Sequence, residues 1–179
     1  MKTENKNRRL TAENVRLRRP ELEDLAYIRK LWADPDTMKE VGGPIVMDEK
    51  RARRWFEKML DPGSPGDRYF LIVNRDNLPV GEASFNRFDP GTKTAELNLK
   101  IEACHRFKGY GPEAVRLILE YFFGSFGGQV MADPIAPDNI QGRKALMSFG
   151  FEHDPSRTDV FMLRMTKQMF HSRYNGNTH

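Results

Sequence analysis

One cysteine, Cys104, is all the thiol that this 179-residue chain carries. A single thiol excludes an internal disulfide and a cysteine-rich zinc site. Histidine is scarce as well: four are scattered along the chain, with no i, i+4 pair beside a carboxylate. No apolar run approaches the ~20 residues that span a bilayer, and the opening MKTENKNRRL holds no apolar signal core. The Gly-Lys-Ser/Thr of a P-loop is missing, and so is any internal repeat. Charge of one sign is also in short supply. The 29 Lys and Arg face 25 Asp and Glu, a net +4 that favours anionic ligands without demanding nucleic acid. These absences lead us to expect a soluble, cytoplasmic protein, monomer or homodimer, with no metal, no membrane and no nucleic-acid partner.

With 39% apolar and 30% charged residues, the chain can build one well-solvated domain. Residues 1–13 and 171–179 read as polar flexible tails around a domain at 14–170. VRLRR (15–19) reads as a short strand. Pro20 then opens a helix with Glu21, Glu23 and Asp24 at its positive end and Leu22, Leu25, Ile28 and Leu31 on its core face. A second helix runs from about Asp48 to Leu60 through Ala52, Trp55, Phe56 and Met59, and DPGSPGD (61–67) is a loop.

The period then shortens to two. RYFLIVNRD and LPVGEASFNRF form a hairpin turning at Asp76 and Asn77. In TAELNLKIEA, Ala95, Leu97, Leu99 and Ile101 alternate with Glu96, Asn98, Lys100 and Glu102, which makes one greasy and one polar face. Val115, Ile118, Leu119 and Phe122 mark a helix, and GQVMADP a buried strand. A helix follows at 138–151, capped by Asp138 with Gln141 three positions on and ended by Gly150; TDVFMLRMT is a final strand. The order β-α-α-β-β-β-α-β-α-β indicates an α/β (α+β) domain: a single mixed, mostly antiparallel sheet flanked by helices.

The stretch HRFKGYGP (105–112) joins a strand to a helix with two glycines two residues apart. Such a turn is either merely tight or a place where an anion meets bare backbone N–H groups at a positive helix end. Arg106 and Lys108 add cations, and Pro112 has no N–H to leave unpaired. A dinucleotide fold is disfavoured: a third glycine is absent, and Glu113 stands near the phosphate position.

The spacing Arg106-x-x-Gly109-x-Gly111 resembles the Q/R-x-x-G-x-G/A pyrophosphate loop of the GNAT acetyltransferases. LKIEACHRFKGYG upstream and DNIQGRKALMSFGFE downstream, with Asn139 and Gly150-Phe151, are similar to further segments of that family. The likeness spans about residues 15 to 166. It implies transfer of acetyl from acetyl-CoA, used as co-substrate without a metal, to an amine by direct attack in a ternary complex. The resemblance places the coenzyme against Arg106, Phe107, Lys108, Gly109, Tyr110, Gly111 and Pro112. It places pantetheine along Ile101, Glu102 and Ala103. Asn139 is either beside pantetheine or simply a helix-start residue.

An amine nucleophile must lose a proton, since alkylammonium pKa values lie near ~10.4. On the polar face of its strand, Glu96 is the first candidate base and Glu102 the second; ordinary solvated carboxylates are the alternative. The tyrosine acid that many relatives carry seven residues after the asparagine is Leu146 here, which leaves the acid unassigned. Cys104 and His105, read as neighbours on a strand, point apart, and Cys104 is expected to be packed. Candidate acceptor residues are Trp32, Asp36 and Asp133, with Asp34, Glu40, Trp55 and Asp89 around them; capping turns are the competing explanation. ADPIAPDN resembles the D-P-x-x-x-N segment of aminoglycoside 6'-acetyltransferases, and the N-terminal helices resemble those of ribosomal-protein N-terminal acetyltransferases. The acceptor stays open between a small molecule, an aminoglycoside-like compound and a protein N-terminus. A coenzyme-binding sensor without turnover is the alternative function.

Overall fold

The computed structural model describes residues 10–60 and 63–174, so the expected tails at 1–9 and 175–179, and residues 61–62 of the loop, lie outside the described residues. In chain order come β1 (Val15–Arg18), α1 (Leu25–Ala33), α2 (Pro35–Met38), α3 (Glu49–Met59), β2 (Arg68–Asn74), β3 (Pro79–Asp89) and β4 (Thr94–Ile101). Then follow α4 (Tyr110–Glu120), β5 (Val130–Ile135), α5 (Ile140–Phe149), β6 (Glu152–His153), β7 (Phe161–Thr166) and α6 (Lys167–Tyr174). One sheet holds all seven strands, ordered β1-β2-β3-β4-β5-β7-β6. Each neighbouring pair is antiparallel except β4 and β5.

That exception shapes the molecule. Parallel β4 and β5 are in register only from Thr94–Glu96 against Val130–Ala132. Past that point they splay, and β4 continues to Ile101 bonded to β3 alone.

The alternation in β4 explains which helices lie where. Ala95 and Leu97 share a core with Phe85, Met131 and Leu163, roofed by Val115, Ile118, Leu119 and Phe122 from α4 and the turn after it. The opposite face carries α1 and α3, with Ile28 over Tyr69, Leu71 and Val73 and with Trp32, Trp55 and Phe56 around them. Burial of such side chains contributes about 1.5–3 kcal/mol each relative to exposure.

Several expectations are corrected. The first helix begins as a 3-10 turn, Leu22–Asp24, held by reciprocal bonds between Glu21 and Asp24. Asn139, not Asp138, caps α5: its Oδ1 accepts from the Gly142 N–H at 2.8 Å. Where a tail was expected beyond residue 170, α6 continues to Tyr174, anchored by Phe170 at 2% exposure and by Tyr174 Oη donating to the Phe149 carbonyl. The polar face of β4 is not all solvated either. Lys100 is buried and paired with buried Glu82 at 2.6 Å, because α1 and its tryptophan close over that end of the strand.

Candidate active site

Opening the sheet between β4 and β5 creates a cavity of about 920 Å³, the size of a small-molecule site. Leu97, Asn98 and Leu99 form one wall and Asp133, Pro134 and Ile135 the other. Gly111, Pro112 and Val115 of α4 and Asn139, Gly142 and Leu146 of α5 close it. Tyr174 of α6 also reaches it, and Glu40 to Gly42 border it near Asn139.

At one end stands the glycine turn. Gly109 adopts φ +81° and is the N-cap of α4, a conformation that L side chains avoid. No acceptor among the described residues takes the N–H groups of Phe107, Lys108 or Gly109, and the first turn of a helix leaves its own N–H groups unpaired. A Cβ added at Gly111 would meet only the Ile101 side chain, at 3.9 Å. Open N–H groups, a positive helix end and a glycine against a cavity fit a diphosphate. Glu113 does not oppose it: its carboxylate turns away to accept from the Asn14 and Val15 backbone and the Asn14 side chain.

The side chains of this turn divide. Arg106 does not face outward: it donates to the Thr37 and Ile101 carbonyls and ties the turn to α2. Lys108 stays exposed beside His105, and Phe107 is 96% exposed. Tyr110 packs partly on the core.

For the strand backbone the expected positions shift. The Glu102 N–H bonds to the Val80 carbonyl and the Ala103 N–H to Thr37 Oγ1, and Ile101 pairs with Gly81. The stretch that borders the cavity is Leu97 to Leu99, four residues earlier, because the splay begins immediately after Glu96. Sequence periodicity locates a strand but not the point where a parallel partner leaves it.

Among the carboxylates, Glu96 lines the cavity and pairs with Arg87 at 3.1 Å, the arginine being turned toward it by a bulge in β3 with φ +52°. Glu102 lies elsewhere. It is buried under α1, bonded to Lys30 at 2.9 Å and Tyr27 at 3.3 Å, beside a second pocket of about 450 Å³ that Asp36 also lines. Trp32 donates to Glu82 and packs edge-on against Trp55, so both tryptophans belong to the core beneath α1. Asp34 caps α2 and Asp89 closes the Gly91–Thr92 turn. Of the acceptor candidates, Asp133 and Glu40 reach the main cavity.

Residues 103–105 form a 3-10 turn instead of strand, so Cys104 is exposed and lies near His105. The ligand atoms of Glu102, Cys104 and His105 fall within 4.8 Å of one another. Glu102 is there already neutralised by Lys30.

Asp133 is half-buried, and its carboxylate makes no hydrogen bond or ion pair with any described residue. Burial first, and the Glu96 charge second, push its carboxyl up to about 7. An unfolded aspartate titrates near ~3.9, so the native state holds the extra proton between these values and stability falls as pH rises from about 4 to about 7. Asp133→Asn is therefore expected to be more stable than the wild type at pH ~8, on the order of 2 kcal/mol after allowance for solvent screening. The two should match at pH ~4. Urea unfolding at both values checks this, and a difference independent of pH would contradict it.

Comparison with known proteins agrees with this geometry. Residues 14–152 match the family model described as "Acetyltransferase (GNAT) domain". The chain is 28% identical over 147 residues to the uncharacterised N-acetyltransferase p20 of Bacillus licheniformis, covering 81% of this chain and 83% of that one. It is 26% identical over 129 residues to the ribosomal-protein-serine acetyltransferase of Escherichia coli K12, 72% of this chain and 64% of that one. A spermidine N-acetyltransferase from Vibrio cholerae, solved with CoA and spermine, superposes with a TM-score of 0.78 at 16% identity, over 87% of this chain and 97% of that one. The splayed strands, the amide-lined turn and the matched domain lead to one assignment: this chain belongs to the GNAT acetyltransferase family.

Proposed function

We propose that the protein transfers acetyl from acetyl-CoA to a primary amine, held together with the coenzyme in one ternary complex. The observation that carries this is the cavity running from Gly111 and Pro112, at the end of the glycine turn, to the point where β4 and β5 part. The residues present fit the coenzyme. The N–H groups of Phe107 to Gly111 and the Lys108 ammonium hold its diphosphate. The exposed strand edge at Leu97 to Leu99 pairs with its pantetheine amides, and an N–H of that edge faces the thioester oxygen, where negative charge develops. Acetyl-CoA supplies a thioester carbonyl open to attack by nitrogen.

The amine enters from the face of Glu96. Glu96 pairs in register with Ala132 and Asn86, and Asn98 follows it on that same face, remote from the roof of α4. Glu96 takes the amine proton, directly or through water, and Arg87 holds its carboxylate in place. Glu40 and Glu96 give the cavity carboxylates suited to a cationic acceptor. Spermidine and ribosomal-protein acetylation among the similar proteins point to the same chemical class, a polyamine or a protein N-terminus. Leu146 in the wall supports the second reading, a coenzyme-binding sensor without turnover.

A thermal-shift assay tests the proposal. Acetyl-CoA at a hundred times its Kd should stabilise the protein by about 2.7 kcal/mol. Spermidine, an aminoglycoside and a serine-terminated peptide are then offered, and free thiol is measured. Thiol release with one of them supports acetyl transfer. Tight binding without release supports the sensor, and the absence of any thermal shift overturns both.

A further inference from the structure

The acid expected from the resemblance is missing, since Leu146 stands at its position and lines the cavity. Asp133 lines the same cavity, and the register of the sheet fixes the side to which it points. Ala132 lies opposite Glu96 in the parallel pair, so it shares the face of Glu96. Asp133 is the next residue and takes the other face, with Met131 and Ile135, both in the core under α4. Across β7 its partner is Leu163, also in that core. Two carboxyl groups thus flank the splay from opposite faces. Glu96 looks toward the incoming amine, and Asp133 looks toward the slot between α4 and α5.

We propose that Asp133 is the general acid that protonates the departing thiolate, replacing the absent tyrosine. This rests on the acetyl-transfer reading above. In the step, the amine nitrogen forms a bond to the thioester carbon and the carbon–sulfur bond breaks. Glu96 receives the proton lost by nitrogen, and the Asp133 carboxyl gives its proton to sulfur. Solvent afterwards removes the proton from Glu96 and restores the one on Asp133.

Its surroundings suit the role. The titratable groups lining the cavity are Glu40, Arg87, Glu96, Asp133 and Tyr174. Arg87 is engaged with Glu96, and Tyr174 with the Phe149 carbonyl. On β7, the cation nearest in sequence register is Arg164, opposite Ala132 and therefore on the face of Glu96. No cation among the cavity-lining residues bonds to Asp133, and the apolar Leu163, Met131 and Ile135 share its face, so a large share of the neutral acid persists near neutral pH. The coupling has a useful sign. While Glu96 is charged, it holds the proton on Asp133; once Glu96 has taken the amine proton, that restraint disappears and Asp133 becomes the stronger acid.

The test combines three measurements on the full chain. Carbon-13 NMR titration of the Asp133 carboxyl should show a midpoint near neutrality in the wild type and a lower one in Glu96→Gln. Acetyl transfer by Asp133→Asn should fall by about a hundredfold or more, with the alkaline limb of the pH–rate profile removed. The deficit should shrink when the donor is an acetyl thioester of a more acidic thiol. Calorimetry with CoA should give Asp133→Asn the wild-type affinity. If the wild type fails to bind CoA, the acetyl-transfer reading itself falls. If CoA binds and transfer proceeds, yet Asp133 titrates as an ordinary aspartate or Asp133→Asn keeps the wild-type rate, the acid assignment alone is wrong. Loss of the acidic limb instead of the alkaline one would also overturn it, by making Asp133 a base.

Discussion

Gly111→Glu should weaken CoA binding by about 10²–10⁴-fold while leaving the fold intact. A Cβ at this position meets only the Ile101 side chain, at 3.9 Å, an ordinary contact. A glutamate in the first turn of α4 would also suit the helix dipole and remove the conformational freedom of glycine, so stability should hold or rise slightly. The same side chain sends a carboxylate into the space where the open amides converge. Charge-assisted hydrogen bonds contribute about 1.5–3 kcal/mol each, and losing two of them gives the expected range. Gly111→Ala is the control, with full stability and a smaller affinity loss. Calorimetry beside thermal unfolding checks both; wild-type affinity in Gly111→Glu would place the diphosphate elsewhere.

The second large effect is on stability. Lys100→Met should cost about 3–5 kcal/mol, because Glu82 would remain as a buried charge without its cation. Glu82 is 1% exposed and accepts from Lys100, Trp32 Nε1 and Tyr69 Oη, while Lys100 also donates to Asn98 and lies 5.6 Å from the Trp32 ring. Adding Glu82→Gln to Lys100→Met removes the orphaned charge but keeps an acceptor for Trp32 and Tyr69, and should recover more than half of the loss. Urea unfolding with an unchanged m-value measures this. A Lys100→Met midpoint equal to the wild type would show that the pair is not holding β4 to β3 beneath α1.

Much of the architecture was legible in the sequence because its signals are local. Periodicity in 94–101 marks β4, Asp48 marks the start of α3 by accepting from the Arg51 N–H, and Gly150 marks the end of α5 with φ +116°. The glycine turn was legible for the same reason. What eluded the sequence depends on distant neighbours. The alternation puts Lys100 on the polar face of its strand, and only the fold shows that Glu82 and the Trp32 ring enclose it. Arg106 looked like a phosphate cation, but Thr37, sixty-nine positions away, holds its guanidinium. The strand edge that borders the cavity lies four residues before the stretch that the resemblance implies, because the parting of β4 from β5 is set by their register, which no single strand encodes. The sequence offers Asp133 only as an acceptor contact. Its stronger signal, an unpartnered carboxyl under apolar cover, arises only once Leu163 and Met131 surround it.

The coenzyme's position is tested most directly by amide chemical-shift mapping during a titration with CoA. Saturation should move the N–H resonances of Phe107 to Gly111 and of Leu97 to Leu99 beyond all others, with smaller changes along α5. Saturation that leaves those amides still while a different surface responds would contradict the account.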